Sequence, residues 1–203
     1  GPFPIKKEHF KNMPSPKWDN LMKYLSRVDQ ENREVFTKHL RKKYCLEILP
    51  IWALAELVSF GNISLMISYI SDKKIRKAFQ ATYGIDYDIF IKWIDHLRVV
   101  RNVCAHHLRL WNRRFETIPT IPNSIEDPYK SLWVWPIQHR IVNNPFNERR
   151  IYNTVVMIDY FLSKISPKNT WKKDIAALIK DYEIDAARMG FPNNWEKNQF
   201  WWL

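Results

Sequence analysis

An all-α fold is what this sequence predicts, and three features predict it. Apolar residues recur at helical spacing along most of the chain. Glycine is scarce, with four residues in 203, so tight hairpins have little to work with. Leu, Ile, Lys and Trp are abundant, and 46% of residues are hydrophobic, enough for a core. The length suits a single domain.

Residues 1–14 are Pro-rich and read as an irregular lead-in. Ser15-Pro16 then gives an N-cap with proline in the first turn. Trp18, Leu21, Met22, Leu25 and Val28 form one helical stripe. Asp29 caps the next predicted helix, to Tyr44, with Val35, Phe36, Leu40 and Tyr44 inward. Pro50 starts an almost wholly apolar helix, Ile51 to Phe60, expected to be central and to stop at Gly61. A short helix over 64–69 and another from Ser71 or Asp72 to Thr82 follow, the second ended by Gly84. A long helix is predicted from Asp86 to Leu108.

Residues 117–147 hold five of the twelve prolines and read as a long loop, in which Trp133-Val134-Trp135 forms a packed or strand-like segment. Asn147 is the expected cap of a helix to Ile165, with Ile151, Val155, Ile158, Phe161 and Leu162 inward. Pro167 separates it from a last long helix, Asn169 to Tyr182. The aromatic tail ends Phe200-Trp201-Trp202, which is costly to leave wet and so docks onto the helices.

Net charge is +11, a field that attracts polyanions, nucleic acid above all. Lys38, Arg41, Lys42 and Lys43 form a basic ridge on the second helix, which is either a solvated face or an RNA contact. No stretch has the roughly 18 apolar residues of a spanning helix, so no membrane is expected. Cys45 and Cys104 belong to no CxxC, which fits a reducing cytoplasm rather than a disulfide framework or a zinc knuckle. There is no P-loop, GxGxxG or HExxH, and Asp86, Asp88 and Asp95 suggest no two-metal cluster. Neither a metal nor a cofactor is expected.

Chemistry concentrates between Arg98 and Arg114, with five arginines, two histidines, two asparagines and a cysteine. Taking Leu97 as the centre of the buried stripe, Phe90, Trp93, Val100, Arg101, Cys104 and Leu108 fall within about 60° of it. Arg101 is therefore expected on the core side, where a guanidinium needs an acceptor. Glu56, the lone acid of the apolar third helix, is the expected partner. Asn102 and His106 lie four apart on an outer face that Arg98 and Arg109 extend. Arg101 and His106 stand about 140° apart. To meet at one phosphate, the arginine must reach around, the helix must distort, or two chains must share the site. Cys104 and Trp111 read as packing, and His107 as structural.

Histidine can give and take a proton near neutral pH, and arginine can neutralise the charge of a phosphorane-like transition state. RNA brings its own nucleophile, the 2′-hydroxyl. His with Arg can therefore cleave RNA without metal, leaving a 2′,3′-cyclic phosphate.

Arg101-Asn102-x-x-x-His106 matches the R-x4-6-H motif of HEPN domains. Leu49-Pro50-Ile51-Trp52-Ala53-Leu54 with Glu56 and Ser59-Phe60-Gly61, the run Arg101 to Arg113, and Met189-Gly190-Phe191-Pro192-x-x-Trp195 together resemble the Abi-like family of bacterial phage abortive-infection proteins, the AbiD/AbiF type. The resemblance runs from about residue 30 to the end. It implies a HEPN-type helical bundle in phage defence, in which two copies of the motif pair across a homodimer to make one RNase site. It also implies a further N-terminal region ahead of the part matched here, and for some relatives control by a structured RNA. By motif position Arg101, Asn102 and His106 carry over as catalytic, with Asn102 orienting. Glu56 joins them on the burial argument alone. Arg98, Arg109, Arg113 and Arg114 are expected on RNA, with the ridge at Lys38, Arg41, Lys42 and Lys43. The leading reading is a metal-independent endoribonuclease toxin. The second is a non-catalytic HEPN module that assembles with a structured RNA, and the third a helical adaptor whose charge is incidental.

Overall fold

The computed structural model describes residues 5–31, 35–45, 49–134 and 149–202. Among them are nine α-helices and no strand. The fold is all-α, as predicted. The chain divides into two compact units, Gly1–Ala78 and Phe79–Leu203.

The first unit holds α1 (Ser15–Glu31), α2 (Val35–Tyr44), α3 (Ile51–Leu57), α4 (Phe60–Tyr69) and the start of α5 (Lys73–Tyr83). The stripe predicted for α1 is the one that packs: Leu21 and Leu25 are buried, with Trp18, Met22 and Val28 half-buried. The lead-in is more ordered than its composition suggests. It makes a 3-10 turn, Lys7–Phe10, buries Phe10 and Met13, and accepts the Ser71 N–H at the His9 carbonyl. Gly61 does not stop a helix. Ser59 accepts the Asn62 N–H on its hydroxyl and so caps α4, which starts at Phe60 and carries Gly61 in its first turn. Asp72 caps α5 through the N–H groups of Lys74 and Ile75.

Three expectations for this unit fail. α3 is not central, because Ile51 and Trp52 are exposed and only Ala53 and Leu54 are buried. On α2 it is Thr37 that is buried, while Val35, Phe36 and Tyr44 are exposed. Asp29 does not cap α2. It lies within α1, buried, and forms an ion pair with Arg41.

The second unit is organised around α8 (Tyr152–Ile165), with α6 (Tyr87–Ala105), α7 (Tyr129–Leu132), α9 (Trp171–Asp181) and the tail. Every residue from Ile151 to Met157 is buried, as are Asp159, Tyr160 and Phe161. The Asn147 cap lies outside the described residues, as does Trp135. Gly84, at φ +68, ends α5, as predicted. α6 buries Tyr87, Phe90, Trp93, His96, Val100 and Val103, a stripe centred on Trp93 and so about 40° from Leu97. Trp93 stacks on Trp133, centroids 5.6 Å apart and planes 9° apart, which fixes that centre.

The tail docks as expected for Phe200 and Trp201, which are buried, while Trp202 is about half exposed. Gly190 adopts φ +90 to end a 3-10 turn, and this delivers Phe191 against Tyr152, Trp195 and Trp201, with centroids 4.8, 5.0 and 5.4 Å away. Phe191→Ala should cost about 3–5 kcal/mol of unfolding free energy, read from denaturant titration of tryptophan fluorescence. A loss within experimental error would show that the tail is not part of the core.

Candidate functional site

α6 ends one turn earlier than its periodicity predicts. The His106 N–H donates to the Asn102 carbonyl at 3.0 Å, and His107 turns left-handed at φ +51. The His107 N–H then reaches the Cys104 carbonyl at 3.0 Å, and the Leu108 N–H reaches the Val103 carbonyl at 2.9 Å. These two bonds make a Schellman stop. His107 is structural through its backbone, and His106 is the helix C-cap with an exposed side chain.

The burial expected of the motif's neighbours is corrected here. Arg101, Cys104 and Leu108 are all exposed. Arg101 lies about 80° from the true centre of the buried stripe, far enough for its long side chain to leave the core. Glu56 is exposed as well. The desolvation that would have forced these two charges to pair is absent from both.

Arg101 instead reaches around the helix. Its Nη1 donates to Asn102 Oδ1 at 3.4 Å. Asn102 thus contacts both other members of the motif: its side chain accepts from Arg101, and its carbonyl holds the His106 backbone. Arg101 and His106 are exposed at the same helix end with Asn102 half-buried between them, and Arg101 is turned toward Asn102.

The platform beneath is His96, 1% exposed. Its Nδ1 lies 2.7 Å from Thr117 Oγ1 and its Nε2 2.8 Å from Thr154 Oγ1, which ties α6 to the following loop and to α8. Burial pushes its pKa down to about 4, so the imidazole is neutral at physiological pH.

The expected RNA-binding residues divide. Arg98 Nε is held by Asp95 Oδ1 at 2.8 Å, and Arg41 is held by Asp29, so both carry a carboxylate of their own. Arg109, Arg114, Lys38, Lys42 and Lys43 are exposed, and Arg113 is half-buried. Trp111, expected to pack, is half-buried with the Arg188 guanidinium over its ring at 5.6 Å.

Two residues escaped the sequence reading. The Phe115 N–H donates to the Arg149 carbonyl at 2.9 Å, and Arg150 Nη1 donates to the Asn112 carbonyl. These bonds bring Arg149 and Arg150 to the loop that follows α6. The signal was there, an arginine pair directly ahead of an apolar helix, but only the fold says where it lands.

A sequence model of the family described as Abi-like protein matches residues 3–112, which includes the whole Arg101–His106 motif. The chain belongs to this Abi-like family, and its setting is abortive infection, the defence of bacteria against phage. The match begins ahead of the region in which the resemblance was read and ends before the tail motif at Met189. No curated protein and no solved structure matches the chain. Among the described residues no helix is long and apolar enough to cross a membrane, and no three His, Cys, Asp or Glu side chains are grouped to hold a metal ion.

His96 makes stability depend on pH with a definite sign. Its ordinary pKa of 6.5 applies to the unfolded chain, and the folded value is about 4. Between these values the unfolded chain binds more protons, so stability falls as pH drops from 6.5 to 4, by about 3 kcal/mol in all. His96→Gln should be less stable at neutral pH and should lose this share of the slope, as measured by denaturant titration at several pH values. An unchanged slope would place the titration elsewhere.

Proposed function

We propose that this Abi-like chain is a metal-independent endoribonuclease, acting in phage defence as a toxin under RNA control. The observation that carries this reading is the placement of Arg101, Asn102 and His106 together at the exposed end of α6, with Arg101 bonded to Asn102. An RNA phosphate set against that end lies within reach of a guanidinium and an imidazole together. His106 takes the proton of the 2′-hydroxyl, the 2′-oxygen bonds to phosphorus, and the bond to the 5′-oxygen breaks as that oxygen gains a proton. The products are a 2′,3′-cyclic phosphate and a 5′-hydroxyl. Arg101 neutralises the charge that builds on the phosphoryl oxygens, and Asn102 keeps Arg101 pointed there.

In-line attack places the entering and leaving oxygens on opposite sides of phosphorus. One imidazole does not reach both in a single step. A second proton carrier is required, and a second copy of this chain supplies it as its own His106. The working form is then a homodimer with one composite site. The same observation favours the second reading when the chain acts alone: a monomer with half of the proton carriers binds structured RNA without cutting it.

Purified protein with single-stranded RNA and EDTA decides between them. The expected result is cleavage with cyclic-phosphate ends. His106→Ala should reduce it about 10²–10⁴-fold while leaving RNA affinity unchanged. Binding without cleavage in the wild type supports the second reading. Full activity in His106→Ala would remove His106 from the mechanism.

A further inference from the structure

The loop after α6 and the start of α8 come together as a cationic cluster. The loop turns at Leu110–Arg113, where the Arg113 N–H meets the Leu110 carbonyl at 3.1 Å, and Asn112 is left-handed at φ +55. Phe115, 3% exposed, anchors it against His96 with ring centroids 5.3 Å apart. The Arg149 and Arg150 bonds to this loop hold the two segments in register, and Arg149 Nη1 adds a long contact to the Glu116 carbonyl at 3.5 Å.

Charge here is not balanced. Among the described residues, no carboxylate lies within ion-pair distance of Arg109, Arg113, Arg149 or Arg150. Arg188 is different, because Asp185 neutralises it at 3.1 Å. α8 begins two residues after Arg150, with Ile151 as its N-cap, and has no acid in its first turn. A helix N-terminus is itself electropositive, so cations in front of it are of the wrong sign. Burial, and then the like charges of Arg114 and Arg109, push the pKa of Arg150 down. Its Nε is buried and has no hydrogen-bond partner. An orphaned buried donor is costly, and on a guanidinium it costs more.

An anion held on this face offsets the unbalanced charge. We propose that Arg109 and Arg150 form a phosphate-binding subsite beside the His106 face, which grips the RNA backbone next to the phosphate being cut. Arg150 is the fixed donor, because its bond to the Asn112 carbonyl sets the plane of its guanidinium. Arg109 approaches from the loop and closes over the phosphate oxygens. Arginine suits this role, since its planar fork meets two phosphate oxygens together. The identity of the anion as RNA rests on the reading of the preceding subsection. The existence of the subsite does not.

Two probes separate those statements. A 2′-O-methyl oligonucleotide, which lacks the nucleophile, reports backbone binding without cleavage. Pyrophosphate reports the anion site alone, through the melting temperature. Arg150→Gln and Arg109→Gln should each weaken oligonucleotide binding about tenfold and lower the slope of log K against log salt by about one. Both should also lose the rise in melting temperature that pyrophosphate gives the wild type. Lys130→Gln, an exposed charge on α7, controls for net charge alone. If both arginine variants match Lys130→Gln while the wild type binds the oligonucleotide, the subsite is overturned and the RNA reading stands. If the wild type ignores the oligonucleotide but pyrophosphate stabilises it through Arg150, the subsite stands and the RNA reading falls. Arg109 makes no hydrogen bond or ion pair among the described residues, so Arg109→Gln carries the test even where Arg150→Gln does not fold.

Discussion

Polar groups buried on α8 dictate how the second unit is built. A helix covered on every side presents side chains that water does not reach, and each one must find a partner or cost free energy. Thr154 finds His96 on α6, and Asn153 spans the N–H and carbonyl of Val134. The Tyr152 hydroxyl donates to the Leu132 carbonyl, and Asp159 accepts the Tyr129 hydroxyl at 2.9 Å. Burial raises the pKa of both groups in that last pair, Tyr129 to about 12. The partners lie on α6, on α7 and just after it, so these five bonds fix α6, α7 and the Pro-rich connection against one axis. Apolar packing alone would allow several rotations of those segments, and the polar bonds select one.

The motif inherits its placement from this arrangement. Thr154 holds His96, and His96 holds the rotation of α6 ten residues before His106. The same imidazole meets Thr117 and packs on Phe115, so the loop leaving the motif is anchored to the helix that carries it. Between the two anchors the chain reverses through His107 and Asn112, both left-handed and neither glycine. Non-glycine residues adopt that conformation at a cost of roughly 1 kcal/mol, and histidine and asparagine tolerate it better than most. A rigid stem and a tightly turned loop therefore flank an exposed end on which Arg101, Asn102 and His106 converge.

Much of this was legible in the residues. Helical spacing found α1, α5, α6, α8 and α9 to within a few residues, because apolar periodicity directly reflects one-sided burial. The failures were those of partners distant in sequence. A wheel counts Leu97 and Trp93 alike, yet Trp93 has Trp133 stacked on it and so sets the buried centre. His96 reads as polar, and its burial depends on threonines 21 and 58 residues away. Gly61 looked like a stop, but the neighbouring Ser59 is a better start than Gly61 is an end. The motif was found and the burial of its arginine was not, since Arg101 lies exposed and bonded to Asn102 instead of on the core side.

The charge of +11 acquires meaning once neutralised cations are set aside. Arg41, Arg98 and Arg188 each hold a carboxylate within their own unit, and they contribute to solubility more than to recognition. In the second unit, Arg101, Arg109, Arg113, Arg149 and Arg150 have no such partner among the described residues, and they occur where α6 ends and α8 begins. Within the second unit these arginines, left without carboxylates among the described residues, concentrate positive potential where α6 ends and α8 begins. Potential of that kind draws a polyanion and orients it before any specific contact forms. The histidine that would perform the chemistry stands at the edge of that same place. On the proposed reading, attraction, grip and proton transfer are successive demands on one helix end, and Arg101 and His106 are exposed to meet them.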